Sequence, residues 1–536
     1  MIRDILRQEI KKAIEKLYQK EIDFDVLAGD KFGDYASNAP MVLKIGNPVE
    51  AAEKIAEELK QSEKFNQYVK KTEIASPGFL NFWLSEKILQ DELKEILKKK
   101  QNYGKFQITN SKFKIQIEFI SANPTGPLTL ANGRGGFMGD VLANILEFQG
   151  YKVEREYYVN DIGNQILTLG KSILAASGLI KNEENFYKGD YVKEWAKKHK
   201  AIAEKNRNNP LKLGQSAAAD FLKEIKSVVK KAKINFDRWT SENRHIHKKS
   251  FVKKALAIFK KAGLTYEKDG ALWLKTTDFG DEKDRVLTTQ DNFPTYFLAD
   301  AGHFLETKLR GFNSKIMILG PDHHGYIKRA AAAAKIMGIK NFEMIITQAM
   351  RLVSKGEEIK MSKRSGEFVT FEKLIKEAGA DAARFFFLTH SAETHMDFDL
   401  DLAKERSMKN PVYYVQYAAV RAQSIIKKSK IKNQKSKLQF KNFKLDILNT
   451  KEDLNLMRQL ARFSEAIGEA GEKRQPQILA RFALDLAREF HNFYEKERII
   501  NEEKNIMAAR LALIQATLTI FKNLFNLLGI NMPRKM

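Results

Sequence analysis

Apolar and polar residues alternate along residues 113–119 (FKIQIEF), which predicts a half-buried β-strand. The alternation ends at residues 121–126 (SANPTG), the signature loop, which contains an Asn-Pro pair and a glycine. A helix-like stretch rich in glycine follows to about residue 148. A strand, a small-residue loop and a helix N-terminus together form a geometry that binds phosphate. A tight turn without a ligand accounts for the glycines equally well.

The same strand and helix pattern recurs further along the chain. Residues 151–159, 315–319 and 342–346 have strand character, and an Ala-rich helix is predicted for residues 326–337. This alternation predicts a parallel sheet with its site at the carboxyl ends of the strands. Residues 167–285 are polar and irregularly helical, so we interpret them as an insertion into this α/β domain.

Two further regions flank the α/β pattern. Residues 1–105 combine an amphipathic helix, turns and a strand, which predicts a small α+β module. From about residue 380 the chain is almost entirely amphipathic helix. The chain is therefore expected to form an α+β domain, an α/β domain and a helical bundle.

Composition favours a polyanionic partner. The 536 residues carry a formal net charge of +25, which makes nucleic acid the first candidate, although lysine-rich solvated helix faces give the same excess. The absence of cysteine excludes disulfides, Cys-ligated zinc and thiol nucleophiles. With no signal peptide or membrane-spanning run predicted, we expect an intracellular protein without a membrane partner.

A cluster of cations lies in residues 355–364, where Lys360, Lys363 and Arg364 are close to two glycines. Cations beside flexible glycines suit a loop that closes over a triphosphate. A charged hairpin tip is the alternative that the residues alone leave open.

Several motifs, in order along the chain, resemble one family, the class I arginyl-tRNA synthetases. The stretch from Glu118 to Leu128 resembles the start of its first nucleotide-binding signature, and residues 360–364 (KMSKR) resemble the second. Further similar stretches are YYVNDIGNQ at 157–165, PTYFLAD at 294–300, DHHGY at 322–326, DFDLDL at 397–402 and NPVYYVQY at 410–417. This ordered set is far more specific than any single motif.

The resemblance implies a three-part enzyme of α/β class. Residues 1–105 correspond to an N-terminal α+β domain that touches the tRNA elbow, and residues 106–390 to a Rossmann-type parallel-sheet catalytic domain with the insertion. Residues 391–536 correspond to a C-terminal all-α domain that reads the anticodon. The implied reaction joins L-arginine to tRNA(Arg) through arginyl-adenylate, using ATP with Mg²⁺. We expect a cytoplasmic monomer.

The resemblance also assigns roles to individual residues. Lys360 and Lys363 are expected to neutralise the pyrophosphate leaving group, with Thr129 and Asn132 as further catalytic donors. The expected arginine-binding residues are Glu118, Ser121, Asn123, Tyr296 and Asp300. ATP is expected at Pro124, Gly126, Pro127, Thr129, Asn132, Gly133, His324 and Met361, and tRNA at Tyr35, Asn38, Tyr414, Tyr417 and Met536. No metal-binding residues are expected.

One position departs from the family pattern. The first signature usually continues as His-x-Gly-His, whereas this chain has Thr129, Leu130, Ala131 and Asn132. A hydroxyl and an amide can donate hydrogen bonds to phosphate but cannot carry positive charge. This departure motivates an alternative function, a tRNA-binding paralogue with little or no catalysis. A third hypothesis is a ligase for lysine, since two acidic pocket residues suit any cationic side chain.

Overall fold

The computed structural model describes residues 1–29, 32–106, 114–359, 369–432, 444–500 and 502–536. The N-terminal region packs its helices on an antiparallel sheet of order β1-β2-β4-β3. Side chains of Asn47, Ser62 and Ser85 accept hydrogen bonds at the starts of three of these helices. The elements are α1 (Ile2–Tyr18), β1 (Val26–Ala28), β2 (Tyr35–Ser37), α2 (Ala39–Val42), α3 (Pro48–Lys60), α4 (Glu63–Tyr68), β3 (Val69–Ala75), β4 (Phe79–Leu84) and α5 (Glu86–Lys99).

The central region contains a five-stranded parallel sheet of order β12-β11-β5-β6-β7. Its first part, together with four insertion helices (α7 to α10), comprises β5 (Lys114–Phe119), α6 (Leu130–Phe148), β6 (Lys152–Val159), α7 (Asn164–Ala176), α8 (Asp190–Lys198), α9 (Lys200–Lys205), α10 (Pro210–Lys231) and β7 (Arg238–Ser241). A π-helical turn (Glu242–His247) and α11 (Phe251–Lys261) follow.

The second part of this region completes the sheet and adds two small ones. Its elements are β8 (Thr265–Lys268), β9 (Ala271–Leu274), β10 (Arg285–Thr288), α12 (Tyr296–Leu309), β11 (Ser314–Leu319), a 3-10 helix (Pro321–Tyr326), α13 (Ile327–Ile336), β12 (Asn341–Ile346), β13 (Met350–Ser354), β14 (Glu357–Glu358), α14 (Phe371–Ala378), α15 (Ala380–Leu388), β15 (Met396–Asp399) and α16 (Leu400–Lys404).

The interpretation of residues 167–285 as one helical insertion is corrected in part. The insertion helices have their own apolar core, but β7 lies within the stretch and pairs in parallel with β6 as the edge of the main sheet. Strands β8, β9 and β10 form a separate antiparallel sheet. Arg238 and Trp239 in β7 gave no clear strand signal, because so short a strand shows little periodicity.

The C-terminal region is helical and packs against the other two. It comprises α17 (Pro411–Lys432), a 3-10 helix (Leu445–Ile447), α18 (Lys451–Ala461), α19 (Phe463–Glu472), α20 (Gln477–Lys496) and α21 (Lys504–Leu528). Helix α21 is long and apolar enough to cross a membrane by composition, but 83% of its apolar window is buried inside the fold. Its core shares one apolar cluster with the N-terminal region, so these two ends of the chain support each other.

Candidate active site

Two residues at the junction between β5 and the signature loop have left-handed backbone conformations. Ile120 has φ of 64° and Ser121 has φ of 38°, a conformation that costs non-glycine residues about 1–3 kcal/mol each. The Ser121 hydroxyl oxygen accepts a hydrogen bond from the Tyr158 backbone N–H at 3.0 Å, which fixes the turn against β6. Asn123 donates to Gln165 Oε1 at 2.6 Å. The loop is thus held at the sheet edge where a ligand was predicted.

Acidic groups gather beside this loop. Asp300 lies on the first turns of α12 and accepts a hydrogen bond from the Tyr326 hydroxyl. Burial raises the pKa of Asp300 to about 7, and the negative charges of Glu242 and Glu118 act in the same direction. The charges of Glu242, Asp300 and Glu118 also raise the pKa of the Tyr158 hydroxyl beyond the effect of its burial. Three carboxylates therefore share one partly buried space and favour a cationic ligand.

Tyr296 lies at the edge of that space. Its ring is half exposed, and its hydroxyl approaches Gly163, where an added Cβ would lie 3.3 Å from the oxygen. Tyr296 and Asp300 lie four residues apart on one face of α12, as the sequence predicted. The ring is therefore available to a ligand that also reaches Asp300.

Glu118 differs from the sequence expectation. The strand was predicted to be half buried, but Gln116 and Glu118 are both enclosed, because α12 covers that face of the sheet with polar side chains of its own. The Lys315 ammonium lies 2.8 Å from Glu118 Oε2 and 3.1 Å from Glu156 Oε2. Glu118 is thus already ion-paired inside the protein, which corrects its expected role as an open partner for the ligand.

The pair belongs to a larger buried network of charges. His303 lies 3.0 Å from Glu156, and Lys315 also donates to Gln116 at 2.6 Å. Burial lowers the pKa of Lys315, but the carboxylates of Glu118 and Glu156 outweigh burial and raise it. The ammonium therefore stays charged at neutral pH.

This network is not a metal centre. Among the described residues, Glu118, Glu156 and His303 are the one group of acids and histidine close enough to hold an ion. The Lys315 ammonium lies between the two carboxylates and already supplies the positive charge. The expectation that the chain has no metal-binding residues stays a prediction.

The start of α6 is closed by a local hydrogen-bonded pair. Asn132 Oδ1 accepts from both the Thr129 backbone N–H and the Thr129 hydroxyl, each at 2.9 Å. The hydroxyl of Thr129 is therefore already used as a donor, which corrects the expectation that it points to phosphate. The Asn132 amide N–H₂ keeps its donors for a ligand.

Gly133 has a packing role that the sequence did not suggest. It is buried, and an added Cβ would lie 2.4 Å from the ring of Phe371. The absent side chain lets α6 approach α14, and the expected contact of Gly133 with the nucleotide stays a prediction. Pro124 is buried in the signature loop, and Pro127 is partly exposed behind it.

The segment that resembles the second nucleotide-binding signature lies outside the described residues. It contains Lys360, Met361, Lys363 and Arg364, so the roles expected of these residues stay predictions. The strands before it are well anchored. Arg351 forms a bidentate pair with Asp397 at 2.7 Å, and Asp401 accepts from the Lys355 backbone N–H at 2.7 Å.

His324 lines a cavity of about 330 Å³ between the central and C-terminal regions. Its ring nitrogen lies 3.3 Å from the Gln348 amide nitrogen, and the opposite wall carries Lys473 and Arg474. The predicted contact of His324 with ATP remains a prediction.

Of the residues expected to bind tRNA, Tyr35 is excluded by burial. Its ring is completely enclosed, and its hydroxyl donates to Glu465 of α19 at 2.9 Å. Tyr35 therefore joins the N-terminal and C-terminal regions, which corrects its predicted role. Asn38 is partly exposed and accepts from the Asp25 backbone N–H at 2.9 Å.

The aromatic residues of α17 form a partly exposed cluster. Tyr413 and Tyr417 stack with ring centroids 6.3 Å apart, and His491 of α20 lies 4.8 Å from Tyr414 and 5.8 Å from Tyr417. A cavity of about 250 Å³ opens beside the next turn and is lined by Arg421, Tyr494 and Arg498, among others. The exposed Met536 ends the chain. The cluster and the cavity have the chemistry to hold an unstacked base.

Two site residues escaped the sequence analysis. Glu242 follows β7 directly, so recognising that short strand would have placed it at the sheet's carboxyl edge. Lys315 looked like the polar start of an ordinary strand. A lysine in strand register with buried polar residues gives no local signal, because its partners lie far away in sequence.

Family models match three successive parts of the chain. The "Arginyl tRNA synthetase N terminal domain" matches residues 2–84, and "tRNA synthetases class I (R), catalytic domain" matches residues 92–436. The "DALR anticodon binding domain" matches residues 415–536.

Individual proteins match the whole chain. An arginine–tRNA ligase from Shouchella clausii is 38% identical, covering 99% of this chain and 98% of its own length. One from Desulforamulus reducens is 37% identical, covering 98% and 96%. The structure of Thermus thermophilus arginyl-tRNA synthetase has the same fold, with a TM-score of 0.79, 20% identity and full coverage of both chains.

Proposed function

The chain belongs to the class I arginyl-tRNA synthetases, and from that premise we propose how its residues divide the work. The enzyme activates L-arginine with ATP and transfers the arginyl group to tRNA, releasing diphosphate and AMP. The arginine carboxylate attacks the α-phosphate, so no covalent protein nucleophile is needed. Catalysis then rests on positioning and on charge neutralisation.

The guanidinium group binds in the space between Glu242 and Asp300, with Tyr296 at its edge. The observation that carries this assignment is the placement of Asp300 on the same face of α12 as Tyr296, close enough to Glu242 and Glu118 for their charges to raise its pKa. The repulsion among these carboxylates falls when a planar cation binds and forms charge-assisted hydrogen bonds with them. Glu118 lies near this space, but its charge is largely balanced by the ion pair with Lys315.

The backbone end of arginine is held by the signature loop. Donation from Asn123 to Gln165 leaves the Asn123 carbonyl oxygen free to accept from an α-ammonium group. Ser121 sets the turn that presents Asn123.

The triphosphate lies over the start of α6. The Asn132 amide donates to it, and backbone N–H groups of Gly126 and the helix start support it. Lys360 and Lys363, which lie outside the described residues, supply positive charge to the leaving group. His324 contributes at the outer edge. Mg²⁺ bound to the phosphates of the nucleotide would supply further charge neutralisation there.

The tRNA binds across both ends of the protein. Anticodon bases stack on the cluster of Tyr414 and Tyr417, with the exposed Met536 as a further contact, and Asn38 contacts the elbow. The division into residues 1–105, 106–390 and 391–536, the monomeric state and the cytoplasmic location stay predictions from the sequence.

Pyrophosphate exchange with arginine or lysine, with and without tRNA, tests this proposal. We expect exchange with arginine in the presence of tRNA and at least 100-fold less with lysine, because lysine cannot fill a planar bidentate site. Glu242→Gln should raise the arginine KM and leave the ATP KM unchanged. Preference for lysine, or no exchange with either amino acid, would overturn the assignment. The comparisons give the inactive-paralogue alternative no support.

A further inference from the structure

We propose that Tyr191, on insertion helix α8, is a positioning residue that holds the signature loop in its active shape. The proposal rests on the arginine activation assigned above and adds a residue outside the recognised signatures. It starts from the question of why residue 126 is glycine.

The space above Gly126 is filled by the Tyr191 ring. An added Cβ at Gly126 would lie 2.8 Å from Tyr191 Cε2 and Cζ and 3.0 Å from its hydroxyl oxygen. The φ angle of Gly126 lies outside the left-handed region, so its backbone does not require glycine. The absent side chain is therefore explained by contact with Tyr191.

The other side of the same ring meets a second glycine. An added Cβ at Gly189 would lie 2.3 Å from Tyr191 Cε1, although Gly189 has an ordinary φ of −63°. Phe221 of α10 adds an edge contact with ring centroids 5.5 Å apart. The ring is fixed between two glycines and the insertion core, so it can hold the loop rigidly.

Neighbouring contacts join the insertion to the same loop. The Tyr187 side chain hydrogen-bonds Thr125, and Gln165 at the start of α7 accepts from Asn123. Burial raises the pKa of Tyr191 to about 12, so its hydroxyl stays neutral against the loop at physiological pH. Asn123, Thr125 and Gly126 are thus each contacted by an insertion residue.

The consequence concerns catalysis rather than folding. The insertion helices have a separate apolar core that includes Ile166, Val192 and Leu213. Tyr191 packs against the edge of that core and is not one of its fully buried members. Losing its ring therefore trims the edge of the core, and it also frees the loop that aligns arginine with the α-phosphate. Misplacement by about 1 Å costs about 100-fold in rate.

The test is a double-mutant cycle in arginine-dependent pyrophosphate exchange on the full-length enzyme with tRNA. We expect Tyr191→Ala to lower kcat/KM for arginine about 10- to 100-fold, and Tyr191→Phe to recover most of it because the ring remains. Gly126→Ala should be equally damaging alone but add little in the Tyr191→Ala background, where the ring no longer occupies the space.

Val192→Ala is the matched control, since it loosens the insertion core next to Tyr191 without touching the loop. We expect it to lower the melting temperature while keeping kcat/KM. Full additivity of Gly126→Ala and Tyr191→Ala would overturn the proposal, as would equal kinetic loss in Val192→Ala. Arginine-dependent exchange by the wild-type enzyme tests the proposed function. Its absence would refute that function, whereas the variant results above would refute only the role of Tyr191.

Discussion

The Lys315 ammonium lies 2.8 Å from Glu118 Oε2, with both groups enclosed between the parallel sheet and α12. Glu118 belongs to the first signature, whereas Lys315 lies in β11, almost two hundred residues later. The signature glutamate is therefore balanced by an internal cation before any substrate binds. The arginine pocket proposed above would lie next to this pair.

Removing the internal cation should destabilise the protein strongly. Lys315→Met leaves Glu118 and Glu156 buried without it, at an expected cost of about 3–5 kcal/mol in the free energy of unfolding. Adding Glu118→Gln should recover part of that loss, because one uncompensated charge disappears. Urea unfolding of the three proteins measures this.

Lys231→Met is the control for this pair, because it removes an exposed lysine that binds Glu372 at the surface. Its expected cost is at most about 1 kcal/mol. A double variant no more stable than Lys315→Met alone would contradict the role given to the pair.

Asn132 should have two separable roles, as a helix cap and as a phosphate donor. Asn132→Asp keeps the oxygen that accepts from Thr129 but loses the N–H₂ group and adds negative charge. We expect normal thermal stability and about a 10- to 100-fold loss in kcat/KM for ATP, in line with the loss of a charge-stabilising donor.

Asn132→Ala should lose both roles and cost about 1 kcal/mol of stability in addition. Thermal unfolding and ATP-dependent exchange on the same preparations separate the two effects. Normal ATP kinetics in Asn132→Asp would show that another group supplies the donor.

Tyr35 should matter for domain contact and not for tRNA. Tyr35→Phe removes the donor to Glu465, a buried carboxyl group whose pKa burial raises. The expected cost is about 1–3 kcal/mol in stability with an unchanged tRNA KM. Tyr417→Ala, at the exposed aromatic cluster, should instead raise the tRNA KM. Aminoacylation kinetics measures both KM values. A raised tRNA KM in Tyr35→Phe with an unchanged one in Tyr417→Ala would show that Tyr35 contacts tRNA.

The sequence predicted the architecture well because helices and buried strands carry their own periodicity. The strands at β6, β11 and β12 and the helix after the DHHGY stretch were all placed correctly from local pattern. The strand β7 was missed because its four residues are too few to show a periodic pattern. Glu242, which follows it directly, was missed with it. Local pattern fails where an element is too short to repeat.

The site was predictable only in part. Asp300 and Tyr296 lie together because both are on one helix, which spacing alone shows. The burial of Glu118, the enclosure of Tyr35 and the contact of Phe371 with Gly133 depend on residues distant in sequence. The pattern of apolar and polar residues carries no information about such contacts. The surroundings of these single residues could therefore be described only from the three-dimensional structure.

The central claim is that Asp300 must be ionised to bind the arginine guanidinium group. The pKa of Asp300 is raised to about 7 in the free enzyme, so the fraction carrying the required charge falls as the pH drops through that value. Arginine affinity should therefore weaken about tenfold per pH unit below pH 7. Bound guanidinium should stabilise the charged form and release a proton.

The most direct measurement is the arginine KM in pyrophosphate exchange between pH 5.5 and 8.5, for the wild type and Asp300→Asn, with the ATP KM as internal control. We predict a wild-type arginine KM that rises below about pH 7, and a variant whose KM is at least about 100-fold higher and flat over that range. An unchanged arginine KM in Asp300→Asn, or the same pH dependence in both proteins, would contradict the account.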